Sequence, residues 1–306
     1  MVFGVMPLAW QASRHLAHSL AVRSAASPIP RGGEMNTKIV ALAEAVAVFA
    51  LTLFLVAVAG ISSIGAWVRR VTNRAFLEYV VMIAVPLLLL LASRRNLASY
   101  GISFSNLRYH LDVTMTAFIP IAITGVVYNL VNGTDWSGAL VLSATWIAVL
   151  LVLGRILKRK PMPAVNSALA ALPLIWLASS PAAKATLGNA FSALLFYVFF
   201  LGLGEELLFR GYLQSRLNSA FGKPLQLFGV QWGWGAVIAS ALFGLMHVLN
   251  LGGLVAHQWH LTPWWCFWTF FSGLVFAFVR EKTGSIAAPA LLHGLPQGIA
   301  YAFLGR

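Results

Sequence analysis

Apolar runs of about membrane-spanning length recur along the chain, at residues 39–60, 75–92, 113–131, 138–157, 164–179, 185–209, 234–251, 264–279 and 286–304. Roughly 18 consecutive apolar residues read as a transmembrane helix, because a helix is the open element that satisfies its own backbone groups in hydrocarbon. The pattern predicts an all-α fold: a polytopic transmembrane helix bundle with eight or nine spans. The run at 164–179 is the weakest, since Pro173 and Pro181 interrupt it, and it is expected to be re-entrant or packed inside the bundle. Charged residues make up only 9% of the 306, against about 25% in an ordinary soluble domain. Such a chain cannot keep its surface wet. It is expected in a lipid bilayer as a multi-pass protein, in the inner cell membrane if the source is bacterial.

A formal net charge of +13 would suggest nucleic acid in a soluble protein, but here the basic residues sit in short connections between apolar runs. Arg94 and Arg95, then Arg155, Lys158, Arg159 and Lys160, then Arg216 and Lys223, and finally Arg280 and Lys282 fall in alternate connections. The positive-inside rule assigns those connections to the cytoplasm. No nucleic-acid partner is expected. Arg69, Arg70 and Arg74 disobey, lying on the side expected to be external; an interfacial amphipathic stretch there, or a mistaken first span, would remove the conflict. Trp259, Trp264, Trp265 and Trp268 cluster near a span boundary, where amphipathic rings favour the headgroup level, and are read as anchors. The single cysteine, Cys266, excludes an internal disulfide and a cysteine-rich metal cluster.

Residues 1–37 differ from the rest in carrying Arg14, Arg23 and Arg31 among Ser, Ala, Pro and Gly. They are read as a disordered N-terminal extension, or as sequence upstream of a natural start at Met35. Residues 38–182 then hold the N-terminal transmembrane helices and 183–306 the part that carries chemistry. No linker separates soluble domains, and no repeat occurs at a fixed period.

Only eight acidic residues exist in the chain, and two of them, Glu205 and Glu206, are adjacent inside an apolar run. Burying a single ionised residue at mid-bilayer costs about 2.5–3.5 kcal/mol on insertion scales, so such residues mark functional sites and usually have a partner. Arg210 lies four residues after Glu206, on the same helix face and within ion-pair reach. Glu205 points about 100° away around the helix and is left free to act as a base. The competing reading is a solvated helix end at the membrane edge. On the next run Phe243 and His247 share a face at i, i+4, and on the last run His293 precedes Gln297 by one turn. Pro296 between the latter two removes a helical hydrogen bond and should loosen the helix there.

The three sets Glu205-Glu206-x-x-x-Arg210, Phe243-x-x-x-His247 and His293-x-x-x-Gln297 resemble the three ordered motifs of the CPBP family of intramembrane proteases, which includes CAAX endopeptidases and the bacterial Abi proteins. The resemblance covers roughly the last third of the chain. It implies a catalytic core in the C-terminal helices, with Glu205 activating a water, His247 holding that water, and His293 with Gln297 donating to the oxyanion. Glu206, Arg210 and Phe243 would support them. The third motif departs from the family, which commonly has Asn, sometimes Asp, where this chain has Gln297. The substrate implied is a membrane-associated protein or peptide: a prenylated CaaX tail, a bacteriocin leader or a C-terminal sorting tail.

No cofactor is expected on this reading. The nearest alternative is a zinc peptidase with Glu205, His247 and His293 as ligands and water in the fourth position, although no H-E-x-x-H is present. Gly202-Leu203-Gly204-Glu205 resembles the Gly-x-Gly-Asp of presenilin-like enzymes, but with Glu for Asp and no second membrane aspartate. No G-x-S-x-G anchors a serine mechanism. A non-catalytic transporter or immunity-type protein is the alternative from another class; no inverted repeat supports the former.

Overall fold

The computed structural model describes residues 31–103, 105–131, 135–159 and 187–303. The weak run at 164–179 and residues 1–30 lie outside the described residues. Helix α1 spans Arg31–Ile61, so it starts inside the stretch read as a disordered extension: no proline interrupts residues 31–37, and the helix of the apolar run propagates back through them. The amphipathic helix α2, Ser63–Thr72, follows, opened by Ser62, whose hydroxyl accepts from the Gly65 N–H at 3.0 Å, and closed by Asn73 in the left-handed region at φ 55°. Ile64, Trp67 and Val71 are exposed along one face of α2, at helical spacing. Arg69, on another face, donates to Glu78 and to the Gly60 carbonyl. Arg74 packs over the rings of Phe196, Tyr197 and Tyr301, its guanidinium carbon 5.2 Å from the Tyr197 centroid. Two of the three cations that disobeyed the charge rule are therefore held by structure within or just after an amphipathic helix.

Helices α3 (Phe76–Ala92), α4 (Leu107–Val131) and α5 (Trp136–Leu157) come next. Asp135 caps α5, its carboxylate accepting from the Gly138 N–H at 2.7 Å. That hydrogen bond to the charged form lowers the Asp135 pKa below the usual carboxylate value. Helix α6 runs without a break over residues 187–221, as α-helical Leu187–Leu194, Leu203–Glu206 and Gln214–Phe221 alternating with π-helical Leu195–Gly202 and Leu207–Leu213. A small antiparallel hairpin follows, β1 (Leu225–Leu227) and β2 (Val230–Trp232), with Leu225 opposite Trp232. The chain ends its described part with α7 (Trp234–Val248), the single-turn α8 (Leu251–Val255), α9 (Pro263–Thr283) and α10 (Ala287–Phe303).

Among the described residues, five helical stretches are long and apolar enough to cross a membrane: Met35–Ile61, Leu107–Val131, Trp136–Leu157, Gly188–Phe221 and Trp234–Val255. Helix α3 is a shorter apolar helix, and α9 and α10 complete the bundle while carrying the polar groups Arg280, Glu281, His293 and Gln297. Large apolar side chains such as Phe54, Leu130 and Leu140 are more than 60% exposed, an arrangement soluble monomers avoid. The chain is an integral, multi-pass membrane protein.

Basic residues assigned by sequence to one membrane side meet in space. Arg95 and Arg216 reach the two oxygens of Glu44 at 2.5 and 2.7 Å, and the Tyr212 hydroxyl donates to the same carboxylate at 2.8 Å. The guanidinium of Arg95 is held well above its ordinary pKa by that bond to Glu44. Near the end of α6, Glu281 accepts from Lys223, Gln214 and Asn218.

Candidate active site

Helices α6 and α10 approach until their backbones touch, and two glycines allow it. A Cβ on Gly202 would lie 2.4 Å from the Ala290 carbonyl oxygen, and one on Gly294 would lie 2.2 Å from that of Tyr197. Both are far inside van der Waals contact, so neither position accepts a larger residue without separating the helices. The Gly294-x-x-x-Gly298 pair thus serves packing within the chain. This approach carries His293 to the centre of α6, where its Nδ1 lies 2.9 Å from Glu206 Oε1.

Glu206 is fully buried and Arg210 is 1% exposed, which excludes the solvated helix end. Arg210 Nη1 donates to Glu206 Oε1 at 2.9 Å and Nη2 to the Gly273 carbonyl of α9 at 3.1 Å. Its guanidinium also lies over the Phe243 ring at 4.7 Å and near Phe276 at 5.4 Å. One oxygen of Glu206 therefore gathers a guanidinium and an imidazole, and ties α6, α9 and α10 together.

Glu205 is not free, as the helical projection implied. Its Oε1 accepts from the Tyr79 hydroxyl of α3 at 2.9 Å. Its Oε2 is buried with no hydrogen-bond partner among the described residues, and lies 3.6 Å from His293 Nε2. That distance is too long for a direct bond but suits two groups sharing a water. The π-helical turns on both sides of Leu203–Glu206 shift the side-chain register relative to a regular α-helix, a local feature frequent at functional sites and invisible in the sequence pattern.

Phe243 joins the aromatic shell: its ring meets Phe209 at 5.0 Å, His247 at 4.7 Å and His293 at 5.9 Å, each close to edge-on. His293 also stacks on Phe276, with centroids 4.8 Å apart. His247 Nδ1 lies 2.8 Å from the Phe243 carbonyl. A carbonyl only accepts, so Nδ1 carries a proton, and the neutral form of the ring then has its lone pair at Nε2. Trp265 and Trp268, read as membrane anchors, flank His247 with centroids at 6.3 and 6.4 Å, so two rings of that cluster border the candidate site. Gln297 sits one turn past His293 on a helix that runs through Pro296 without ending, half-buried. Among the described residues no hydrogen bond joins it to Glu205, Glu206, His247 or His293.

Sequence reasoning missed Tyr79, Gly273 and Phe276. Tyr79 lies 126 residues before Glu205, and nothing at that spacing marks it. Among the described residues no group of three or more His, Cys, Asp or Glu is arranged to hold a metal ion. Tyr79 and Glu206 each hold one side of this pair, Tyr79 on Glu205 Oε1 and Glu206 on His293 Nδ1.

Compared with known proteins, residues 187–298 match the family model described as type II CAAX prenyl endopeptidase Rce1-like. No curated protein and no solved structure matches. The matched segment starts with α6 and ends within α10, and it contains all three polar motifs in order. With a multi-pass helical bundle around those motifs, the match over residues 187–298 supports the CPBP family of CAAX-type membrane endopeptidases.

Proposed function

We propose that this protein hydrolyses a peptide bond of a membrane-associated protein or peptide by means of a water activated at Glu205, without a metal. One observation carries the reading: Glu205 presents a buried oxygen, Oε2, that has no hydrogen-bond partner among the described residues and faces an imidazole nitrogen at 3.6 Å, while its other oxygen is already engaged. A water shared by Oε2 and the histidine side of the site loses a proton to Oε2 as its oxygen attacks the substrate carbonyl carbon. His247 Nε2, a lone-pair acceptor, holds the second water proton. The carbonyl π pair moves to oxygen. His293, when it carries a proton on Nε2, donates to that oxyanion, with the Gln297 amide as the further donor. Collapse of the tetrahedral intermediate breaks the C–N bond, and Glu205 returns its proton to the leaving amine. Preorganised donors in a water-poor site supply the stabilisation; one such donor is worth about 2.7–4 kcal/mol in a studied protease.

The test uses protein reconstituted in liposomes and a fluorogenic farnesylated peptide ending in a CaaX sequence, the substrate class named by the family. Glu205→Gln is expected to abolish cleavage with the thermal midpoint near wild type, because the amide is isosteric and cheaper to bury than a charge. More than a tenth of wild-type kcat in Glu205→Gln refutes the assigned base.

A further inference from the structure

We propose that Tyr79, on α3 and outside the family-matched segment, is a positioning residue that orients the Glu205 carboxylate and selects Oε2 as the basic oxygen. The inference rests on the assignment of Glu205 above. A glutamate side chain has three rotatable bonds, and its two oxygens are chemically equivalent unless something distinguishes them. Here the Tyr79 hydroxyl does so, donating to Oε1 at 2.9 Å and leaving Oε2 toward His293. The donor is neutral. It fixes the carboxylate without bringing a counter-charge to it, in contrast to Glu206, whose oxygen is bound by a guanidinium.

The phenol is itself held in place. Its ring meets Phe196 edge-on at 5.3 Å and 88°, and it lies against Gly204, where a Cβ would come within 3.3 Å of Tyr79 Cδ1 and 3.4 Å of Ile83 Cγ1. The glycine next to the candidate base is thus the surface on which the tyrosine ring rests. One residue before Tyr79, Glu78 is paired with Arg69 of α2, which fixes the start of α3. Through Tyr79 the N-terminal helices complete a site whose other members all lie in α6 to α10.

A buried tyrosine that merely needs an acceptor would show the same hydrogen bond, so the experiment separates the two roles. Tyr79→Phe keeps the ring and removes the donor. In the reconstituted peptide assay, kcat is expected to fall about ten- to a hundredfold with KM within about twofold, the pattern of a misaligned catalytic group. Glu205→Gln is measured alongside. An inactive Glu205→Gln with Tyr79→Phe at wild-type kcat overturns the role of Tyr79 and leaves the base assignment standing; an active Glu205→Gln overturns both. A lowered thermal midpoint with unchanged kcat per folded molecule assigns the hydroxyl to packing and also overturns the proposal. If Tyr79→Phe does not fold, 3-fluorotyrosine and 3,5-difluorotyrosine at position 79 keep ring and hydroxyl while changing donor strength. A kcat that follows the substituent then supports the proposal, and a constant kcat sinks it.

Discussion

Replacing Arg210 by Ala removes the one cation paired with Glu206 among the described residues apart from what His293 can contribute, in a place where neither side chain of the ion pair meets solvent. Breaking a buried pair from one side costs about 3–5 kcal/mol, since the remaining charge stays desolvated. For a protein of this size each kcal/mol moves the thermal midpoint by about 2–4 °C, so the expected fall is about 6–20 °C. Lost contacts with Phe243 and Phe276 add to it. Tryptophan fluorescence on heating in detergent is a suitable readout, as the chain holds 11 Trp. Arg210→Lys should fall between wild type and Ala, because a single ammonium lacks the fork that reaches both Glu206 and the Gly273 carbonyl. Adding Glu206→Gln to Arg210→Ala should recover part of the loss by removing the stranded charge. An Arg210→Ala protein with an unchanged midpoint and no activity would refute this reasoning and make Arg210 a catalytic group.

Gly294→Ala places a Cβ 2.2 Å from the Tyr197 carbonyl oxygen, so α10 must move off α6. Since a misplacement of about 1 Å costs on the order of a hundredfold, kcat in the peptide assay should drop by at least tenfold. Gln297→Ala should lower kcat by about a hundredfold or less with little change in KM, as expected for a flexible oxyanion donor; full activity would remove Gln297 from the site. Dialysis against a chelator should leave activity intact, and loss restored by zinc would install the metal reading in its place.

The bundle was legible because apolar length is a property of consecutive residues, and the ion pair because i, i+4 spacing places Glu206 and Arg210 together whatever surrounds them. His247 and His293 could be picked out as polar residues in apolar runs, but not their partners. The sequence contains no sign that His293 binds Glu206 rather than Glu205, since that depends on how closely Gly202 and Gly294 let two helices approach. Arg69 and Arg74 read as violations of a charge rule because the rule counts charges, whereas one is neutralised by Glu78 and the other lies against aromatic rings. Tyr79 was out of reach for a similar reason. A tyrosine in an apolar run is ordinary, and only the fold brings its hydroxyl to a carboxylate 126 residues away.

Two adjacent carboxylates with opposite proposed roles raise the question of what keeps them from being interchangeable, and the answer lies in their donors. Glu206 receives Arg210 and His293 on a single oxygen, so its charge is compensated and its position is shared among three helices; a group so occupied has little freedom to take a proton from water. Glu205 receives one neutral hydroxyl. Oε2 of each carboxylate has no hydrogen-bond partner among the described residues, so what sets Glu205 apart is that its engaged oxygen meets no guanidinium and its open one faces His293 Nε2 at 3.6 Å, the setting the proposed base needs. The arrangement also bears on metal binding. An ion at Glu205 Oε2 would need His293 Nε2 and His247 Nε2 as neutral ligands converging on one point. The bond from His293 Nδ1 to Glu206 orients that ring toward Glu205 for water or substrate equally well, so orientation alone does not call for an ion. On the proposed reading, one carboxylate bound by a guanidinium and one bound by a neutral hydroxyl give a base and its rigid support from two neighbouring residues, and the difference between them comes from α3, α9 and α10 as well as from Arg210 of α6.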